Sequence, residues 1–277
     1  MEEQIYFGGE VNMTERKNLF FFYKQDPYLM AKIDPLIELA KKYGFKVVDH
    51  HKDANIIVSF GNDGSFLQSV RKTGFRDDCL YVGIGTKPQN FYCDFHLNDV
   101  EGLVDALQTE SVEVRRYRTI ETTINNSSSF YSLNETSIRS SIIKTISMDV
   151  FIDDLHFETF RGDGLIISTP TGSMAYNKSV FGAVVDPLLP CMQVSELASL
   201  NNTKYRTLGS PFILSGERAL TLRIIPDGNN YPVIGFDNEA LSFKQIEEIN
   251  VRLTDRRIKT IKLKDNSFWH KVKRSFL

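Results

Sequence analysis

Apolar residues fall into short, dense runs over the first third of the chain. Leu19-Phe20-Phe21-Phe22-Tyr23, Ile56-Ile57-Val58-Ser59-Phe60 and Tyr81-Val82-Gly83-Ile84-Gly85 are rich in β-branched or aromatic residues. Each is too short for a helix core, so each predicts a buried strand. Phe45–Val48 adds a shorter one. Between them the period lengthens. Leu36, Leu39 and Ala40 form a helical stripe, opened by Asp26-Pro27 or Asp34-Pro35 and stopped at Gly44. Either Asp-Pro pair supplies an N-cap followed by a proline that suits the first turn. Phe66 to Lys72 and Asp99 to Leu107 read as further helices. Such strand–helix alternation predicts a parallel or mostly parallel sheet.

The pattern changes near residue 112. Short alternating segments follow, around 114–124, 130–135, 146–151, 155–159, 165–168, 212–215, 220–225 and 232–236, separated by Asn, Ser, Asp and Gly. These predict strands. Asn125–Ser129, Asp153-Asp154 and Asp227–Asn230 are the expected turns. Asn177 to about Leu200 reads as a helical insertion. Ile258–Lys264 alternates again, which predicts a strand with one charged, solvated face. The fold class is therefore an α/β N-terminal domain with a mostly parallel Rossmann-like sheet, over residues 1–112, followed by a β-rich C-terminal domain over 113–255.

Charge changes this picture little. The net formal charge of −2 hides a basic end, with nine Lys or Arg against two Asp in residues 251–277. A basic cluster can attract nucleic acid, but alternation along a strand edge accounts for it, and no nucleic-acid partner is expected. No window supplies the roughly 18 continuous apolar residues of a membrane span. The acidic, polar start lacks the pattern of a secretory signal, and residues 1–12 read as an extension ahead of the first domain. Cys79, Cys93 and Cys191 are odd in number and widely spaced, which argues against a disulfide framework and for a cytoplasmic protein. Cys79 reads as a core residue. The five histidines have no metal-site spacing, and no metal ligands are expected.

The candidate chemistry begins where the third strand ends. Gly61-Asn62-Asp63-Gly64-Ser65 places a carboxylate between glycines just past a strand's C-terminal end, where open α/β folds bind ligands. The glycines can offer backbone N–H groups to an anion. Asp63 can accept a proton from a hydroxyl, or the segment is an ordinary turn; its local sequence leaves both readings open. It is neither a Walker A loop nor a GxGxxG fingerprint. Asn134-Glu135 at a strand end can read an adenine edge and ribose hydroxyls, or form a hairpin turn. Asp163, in Arg161-Gly162-Asp163-Gly164, can bind ribose hydroxyls or an amide, or sit in another β-turn. Ser168–Tyr176 is more distinctive, with hydroxyls, a proline and a glycine just ahead of an expected helix N-terminus, a natural phosphate site.

In their order along the chain, GNDGS, LNE, FRGDG and STPTGSMAY resemble the motifs of bacterial NAD kinases, as do Ala198–Asn202, Tyr205–Thr207 and Gly209–Pro211. The resemblance runs from about residue 18 to the C-terminus. It implies an NAD kinase-like fold in which 256–277 packs back on the N-terminal domain. It also implies phosphorylation of the adenosine ribose 2′-hydroxyl of NAD by ATP, accompanied by Mg2+, with polyphosphate as a further donor in some members. Homodimers or homotetramers are implied as well. By the same resemblance Asp63 is the catalytic base, and Gly61, Asn62, Gly64 and Ser65 form the phosphate loop. Asn134 and Glu135 hold adenosine, Asp163 lies near nicotinamide, and Thr171, Ala175, Tyr176 and Ser179 line the NAD pocket. Arg161, outside that matched set, is a candidate NAD-binding residue for charge support only.

This chain departs from the family pattern at several points. Asn62 replaces a glycine, which suits a left-handed backbone there or else crowds the donor. Met174 replaces a threonine. Thr86–Phe91 lacks two glycines of the usual loop, and Asp237 stands where some relatives have histidine. These departures motivate an alternative function, a catalytically weak regulatory protein that binds NAD or NADP. A lipid kinase with a similar glycine–aspartate loop is a further rival, opposed by Asn134-Glu135 and Thr169–Tyr176.

Overall fold

The computed structural model describes residues 16–87, 89–99, 102, 106, 111–226, 232–243 and 245–277. They divide into two compact units: the described residues up to Tyr117 together with Ile258–Leu277, and Arg118–Arg257.

The first unit is built on Asn18–Phe22 (β1), Lys46–Val47 (β2), Ile56–Gly61 (β3), Leu80–Gly85 (β4) and Cys93–His96 (β5). β3 and β4 are buried at every position, which is why their sequences are nearly continuous apolar runs. β1 pairs in parallel with β2 and β3, β3 with β4, and β4 with β5. Pro27–Lys42 (α1) begins at the first Asp-Pro pair, where Asp26 Oδ1 accepts the Leu29 N–H at 3.2 Å, and Pro35 lies inside the helix. Asp63–Lys72 (α2) starts three residues ahead of the sequence expectation, because Asn62 caps it. The expected helix over Asp99–Leu107 lies mostly outside the described residues. Cys79, Cys93 and Cys191 are free and buried.

The remaining strands are Val112–Ile124 (β6), Ser128–Ser132 (β7), Glu135–Arg139 (β8), Ile146–Ile152 (β9), Leu155–Gly162 (β10), Gly164–Ser168 (β11), Cys191–Leu197 (β12), Phe212–Ser215 (β13), Ala219–Ile224 (β14), Val233–Phe236 (β15), Glu239–Ser242 (β16) and Glu248–Leu263 (β17). In the second unit one antiparallel sheet runs β13-β12-β11-β8-β15-β16. The other joins β10, β9, β14 and the start of β17, with the β6–β7 hairpin paired to β17. Alternate residues of both, among them Ile138, Leu165, Val194 and Ile234 with Met148, Val150, Leu222 and Val251, form one core. That is the inner-face packing of a β-sandwich. No helix among the described residues is long and apolar enough to cross a membrane.

Two expectations fail. The segment from Asn177 to Leu200 is helical only at Tyr176–Ser179, and β12 occupies its second half. Pro187 and Pro190 interrupt a helix there, and Met192 and Val194 alternate into the core. The end of β17 does not present one charged, solvated face. Lys262 is fully buried, paired with Asp94 and with backbone carbonyls. The alternation marks a strand, but one of its lysines points inward to an anion.

The β6–β7 turn shows how one side chain fixes a hairpin. Asn125, at φ 49°, accepts N–H bonds from Glu247 and Glu248 at 2.9 and 3.2 Å and donates to the Gln245 carbonyl at 2.8 Å. Alanine loses all three bonds and tolerates positive φ poorly. Asn125→Ala is expected to destabilise the fold by about 1–2 kcal/mol, read as a lowered thermal midpoint.

Candidate functional site

The loop after β3 is set by one glycine and one cap. Gly61 has φ 142°, and a Cβ there would lie 2.2 Å from Ser65 Oγ, so only glycine fits. Asn62 is extended, at φ −109° and ψ −173°, and its Oδ1 accepts from the Ser65 N–H at 3.1 Å and the Ser65 hydroxyl at 3.4 Å. This is N-cap geometry. The left-handed backbone considered for Asn62 is therefore absent: the positive φ falls one residue earlier, and asparagine serves as a cap. Gly64 and Ser65 lie in the first turn of α2.

Asp63 opens α2 with both carboxylate oxygens held. Oδ2 accepts the Phe91 N–H at 2.8 Å and Oδ1 the Tyr92 N–H at 2.7 Å. Each oxygen keeps lone-pair capacity for a further donor, such as a substrate hydroxyl. The loop carrying those amides is itself fixed. Asn90, buried, donates to the Lys87 carbonyl at 2.7 Å. The Tyr92 ring stacks on Phe66 of α2 with centroids 4.9 Å apart.

In the second unit the structure brings Asn134, Glu135 and Thr171–Tyr176 together. Asp237, in the β15–β16 turn, accepts the N–H groups of Leu133, Asn134 and Glu135 at 3.0, 2.6 and 3.2 Å. Thr169 donates its N–H to the Asn134 carbonyl at 2.8 Å and its hydroxyl to the Leu133 carbonyl at 2.7 Å. The Thr169 hydroxyl also accepts the Gly172 N–H at 3.0 Å. A Cβ on Gly172 would lie 2.1 Å from the Asn134 carbonyl oxygen, so this turn rests directly on the Leu133–Asn134 backbone. Met174 is buried, and Thr171 and Ala175 are half-buried. The Ser179 hydroxyl turns back to the Tyr176 carbonyl at 2.7 Å.

Glu135 is the electrostatic exception. It is buried, and its Oε2 has no hydrogen-bond partner. Burial first, and then the Asp237 charge, push its carboxyl up to about 8, against the Tyr176 N–H that favours the ionised form. A buried acceptor of this kind suits ribose hydroxyls. The adjacent Asn177 leaves a buried Nδ2 unpartnered as well, while its Oδ1 accepts the Ser195 hydroxyl at 2.6 Å.

Arg161 and Asp163 are not part of that group. β11 pairs Ser168 with Glu135 and Gly164 with Arg139, so Asp163 lies at the opposite end of the strand from Glu135. There it lines a cleft with Arg139, Ser140, Lys144 and Thr145. Arg139 links the two ends, its guanidinium 5.9 Å from the Tyr176 ring centroid. Arg161 donates to the Thr145 hydroxyl at 3.0 Å and to the Tyr205 hydroxyl at 2.7 Å, and it lies over the Tyr205 ring. These contacts make it a brace for the loop after β12. Sequence reasoning passed over Asp237 as a site residue and did not single out Asn177 or Arg139. The position of Asp237 in a turn just after an apolar strand was the available signal.

Glu135 has a testable pH signature. Its folded value lies above that of the unfolded chain, so the stability cost is absent at low pH, grows from about pH 4.5 to 8 and is full above that. Glu135→Gln is expected to raise the thermal midpoint at pH 8.5 and to change it little at pH 4.5. Equal shifts at both pH values would contradict the buried-acid assignment.

Residues 133–263 match the family described as the ATP-NAD kinase C-terminal domain. The chain is 64% identical over 264 residues to NAD kinase 2 of Bacillus subtilis (strain 168) and 63% identical over 264 residues to NAD kinase 2 of Geobacillus kaustophilus (strain HTA426). Each alignment covers 95% of this chain and 99% of the relative. Its fold is similar to that of yeast NADH kinase complexed with NADH, with TM-score 0.77 and 17% identity over 94% of this chain and 87% of that one. It is also similar to an NAD kinase from Archaeoglobus fulgidus in complex with ATP, with TM-score 0.71 and 21% identity over 92% of this chain and 98% of that one. With near-full-length identity above 60% to the Bacillus and Geobacillus proteins, the chain belongs to the bacterial NAD kinase family, on the Gram-positive NAD kinase 2 branch.

Proposed function

We propose that the protein transfers the terminal phosphoryl group of ATP to the 2′-hydroxyl of the adenosine ribose of NAD, giving NADP and ADP. The observation that carries the reading is Asp63, half-buried at a helix start with both oxygens fixed by backbone amides. The amides aim the carboxylate, and its remaining lone pairs are free to take a hydroxyl proton. As the O2′–phosphorus bond forms and the bond to the ADP oxygen breaks, the 2′-hydroxyl proton passes to Asp63 and then to solvent. ATP enters as its magnesium complex, and the positive end of the α2 dipole, where Gly64 and Ser65 lie, favours phosphate oxygens.

For NAD we assign the adenosine end to Asn134 and Glu135, whose buried Oε2 supplies an acceptor for a ribose hydroxyl. Thr171, Ala175, Tyr176 and Ser179 form the adjoining wall. Asp163 is assigned to the nicotinamide end, supported by its cleft with Arg139. A cytoplasmic location is supported by three cysteines that are all free. Self-association as a homodimer or homotetramer is supported by the exposed Ile143, Phe181, Leu188 and Leu189.

The direct test follows NADP formation from NAD and magnesium ATP. Folded protein that forms none, with ATP or polyphosphate, refutes the kinase reading. Asp63→Asn is expected to lower kcat by about 10²-fold or more with little change in KM for NAD; an unchanged kcat removes Asp63 from the base role. Tyr176→Ala is expected to raise KM for NAD with kcat largely kept, and unaltered NAD affinity in folded protein contradicts its placement in the pocket.

A further inference from the structure

Three charged side chains lie buried behind the loop that holds Asp63. Lys262 is on β17, Lys271 is on the C-terminal helix Phe268–Phe276, and Asp94 is on β5. Their side chains are at most 2% exposed. Asp94 Oδ1 accepts from Lys271 Nζ at 2.5 Å and from Lys262 Nζ at 3.4 Å, while its Oδ2 takes the Leu263 N–H at 3.0 Å. One carboxylate thus faces two ammonium groups. The remaining donor capacity goes to carbonyls: Lys271 Nζ donates to Phe91 O at 2.7 Å, and Lys262 Nζ donates to Phe91 O at 3.3 Å and to Tyr92 O.

We infer that Lys271 is a positioning residue for Asp63, acting through the single peptide group that joins Phe91 to Tyr92. The carbonyl of that peptide accepts from Lys271 Nζ, and its N–H donates to Asp63 Oδ1 at 2.7 Å. An ammonium at one end of a peptide polarises it, so the N–H at the other end becomes the stronger donor. The same contact fixes the plane of the peptide, and with it the direction in which Asp63 points. Lys262 shares the carbonyl at longer range and anchors the next one. The C-terminal segment therefore reaches the proposed base with no side-chain contact to it. This inference rests on the assignment of Asp63 as the base.

A purely structural role fits less well. Replacing buried ion pairs by apolar residues of similar size is often neutral or stabilising. Burial and the Lys262 charge push Lys271 down to about 7. For Lys262, burial acts in the same direction, but Asp94 leads the groups that outweigh it and hold it above the ordinary lysine value. The other charged or titratable groups facing the cluster are Arg115, Tyr117, Cys93 and Asp63. Arg115 is paired with Glu113 at 2.5 Å and bound to the Leu263 and Asn266 carbonyls. On the helix itself Lys273 and Arg274 are exposed. Because the folded value of Lys271 lies below that of the unfolded chain, its charge costs stability at neutral pH and below, and the cost fades as pH rises from about 7 towards 10.5. A group kept at such a cost beside the base points to a role in aiming it.

The test is a double-mutant cycle on the full chain, read as kcat and KM for NAD. Lys271→Met is expected to lower kcat about tenfold, the size of one charge-assisted hydrogen bond, with KM for NAD unchanged and Lys271→Arg recovering part of the loss. In an Asp63→Asn background the same change is expected to have no further effect. An unchanged kcat in Lys271→Met, or an equal loss in both backgrounds, overturns the inference. An unchanged kcat in Asp63→Asn alone refutes the base reading instead. If Lys271→Met does not fold, the Tyr92 amide proton of the unaltered protein supplies the readout by NMR. It is expected to shift between pH 6 and 10 as Lys271 loses its proton, and a flat trace overturns the inference.

Discussion

A carboxylate that gathers backbone N–H groups organises the candidate residues in each unit. Buried amides need acceptors, and a carboxylate offers several lone pairs in one small group. Asp63 takes the amides of Phe91 and Tyr92. Asp237 takes those of Leu133, Asn134 and Glu135. In both places an irregular segment that sheet pairing cannot fix gains one geometry. Asp237 accepts three adjacent amides of one strand start, whereas Asp63 accepts two, one on each oxygen. The first arrangement builds a scaffold; the second holds a carboxylate and leaves it acceptor capacity.

The same hydrogen bonds separate two neighbouring acids. Asp237 is ringed by the amides of Leu133, Asn134 and Glu135. Glu135, beside it, has one backbone donor and a buried oxygen with no partner. Its carboxyl therefore rises while the Asp237 charge pushes it further. A buried acid with an unmet acceptor is a poor stabiliser of a fold, but it is well suited to hold hydroxyls that arrive later. The buried lysines behind Phe91 follow a similar logic, with excess charge spent on the carbonyls of a loop rather than on pairing.

Much of this was legible in the sequence because the strongest patterns are local. The β3 and β4 runs predict wholly buried strands, and Asp26-Pro27 is one of two adjacent-residue signals for the start of α1, the other, Asp34-Pro35, lying inside the helix. Asp153-Asp154 and Asn125–Ser129 predict their hairpins for the same reason. The failures are non-local. Lys262 reads as solvated until Asp94, far away in sequence, is placed against it. Cys191–Leu197 reads as helix until its alternation is weighed against the two prolines before it. Asp237 gains its meaning only from three amides about a hundred residues upstream. The glycine-flanked turn after β3 was visible, but the reason for each of its residues was not.

Asn62 shows why that distinction matters. Read as a lost glycine, it suggests a loop damaged in its backbone or crowded at the donor, and hence a protein that binds without turning over. In the fold the demanding backbone position is Gly61, which is retained, and the asparagine side chain folds back onto the Ser65 N–H. Asn90, where the usual loop has a glycine, likewise turns inward to the Lys87 carbonyl. Both substitutions replace conformational freedom with a hydrogen bond. The Asn90 bond lies in the loop whose next two amides, of Phe91 and Tyr92, hold the Asp63 carboxylate. Of the departures that motivated a weak or regulatory protein, Asn62 thus serves as a helix cap and Asn90 as a tie beside the amides that hold the proposed base.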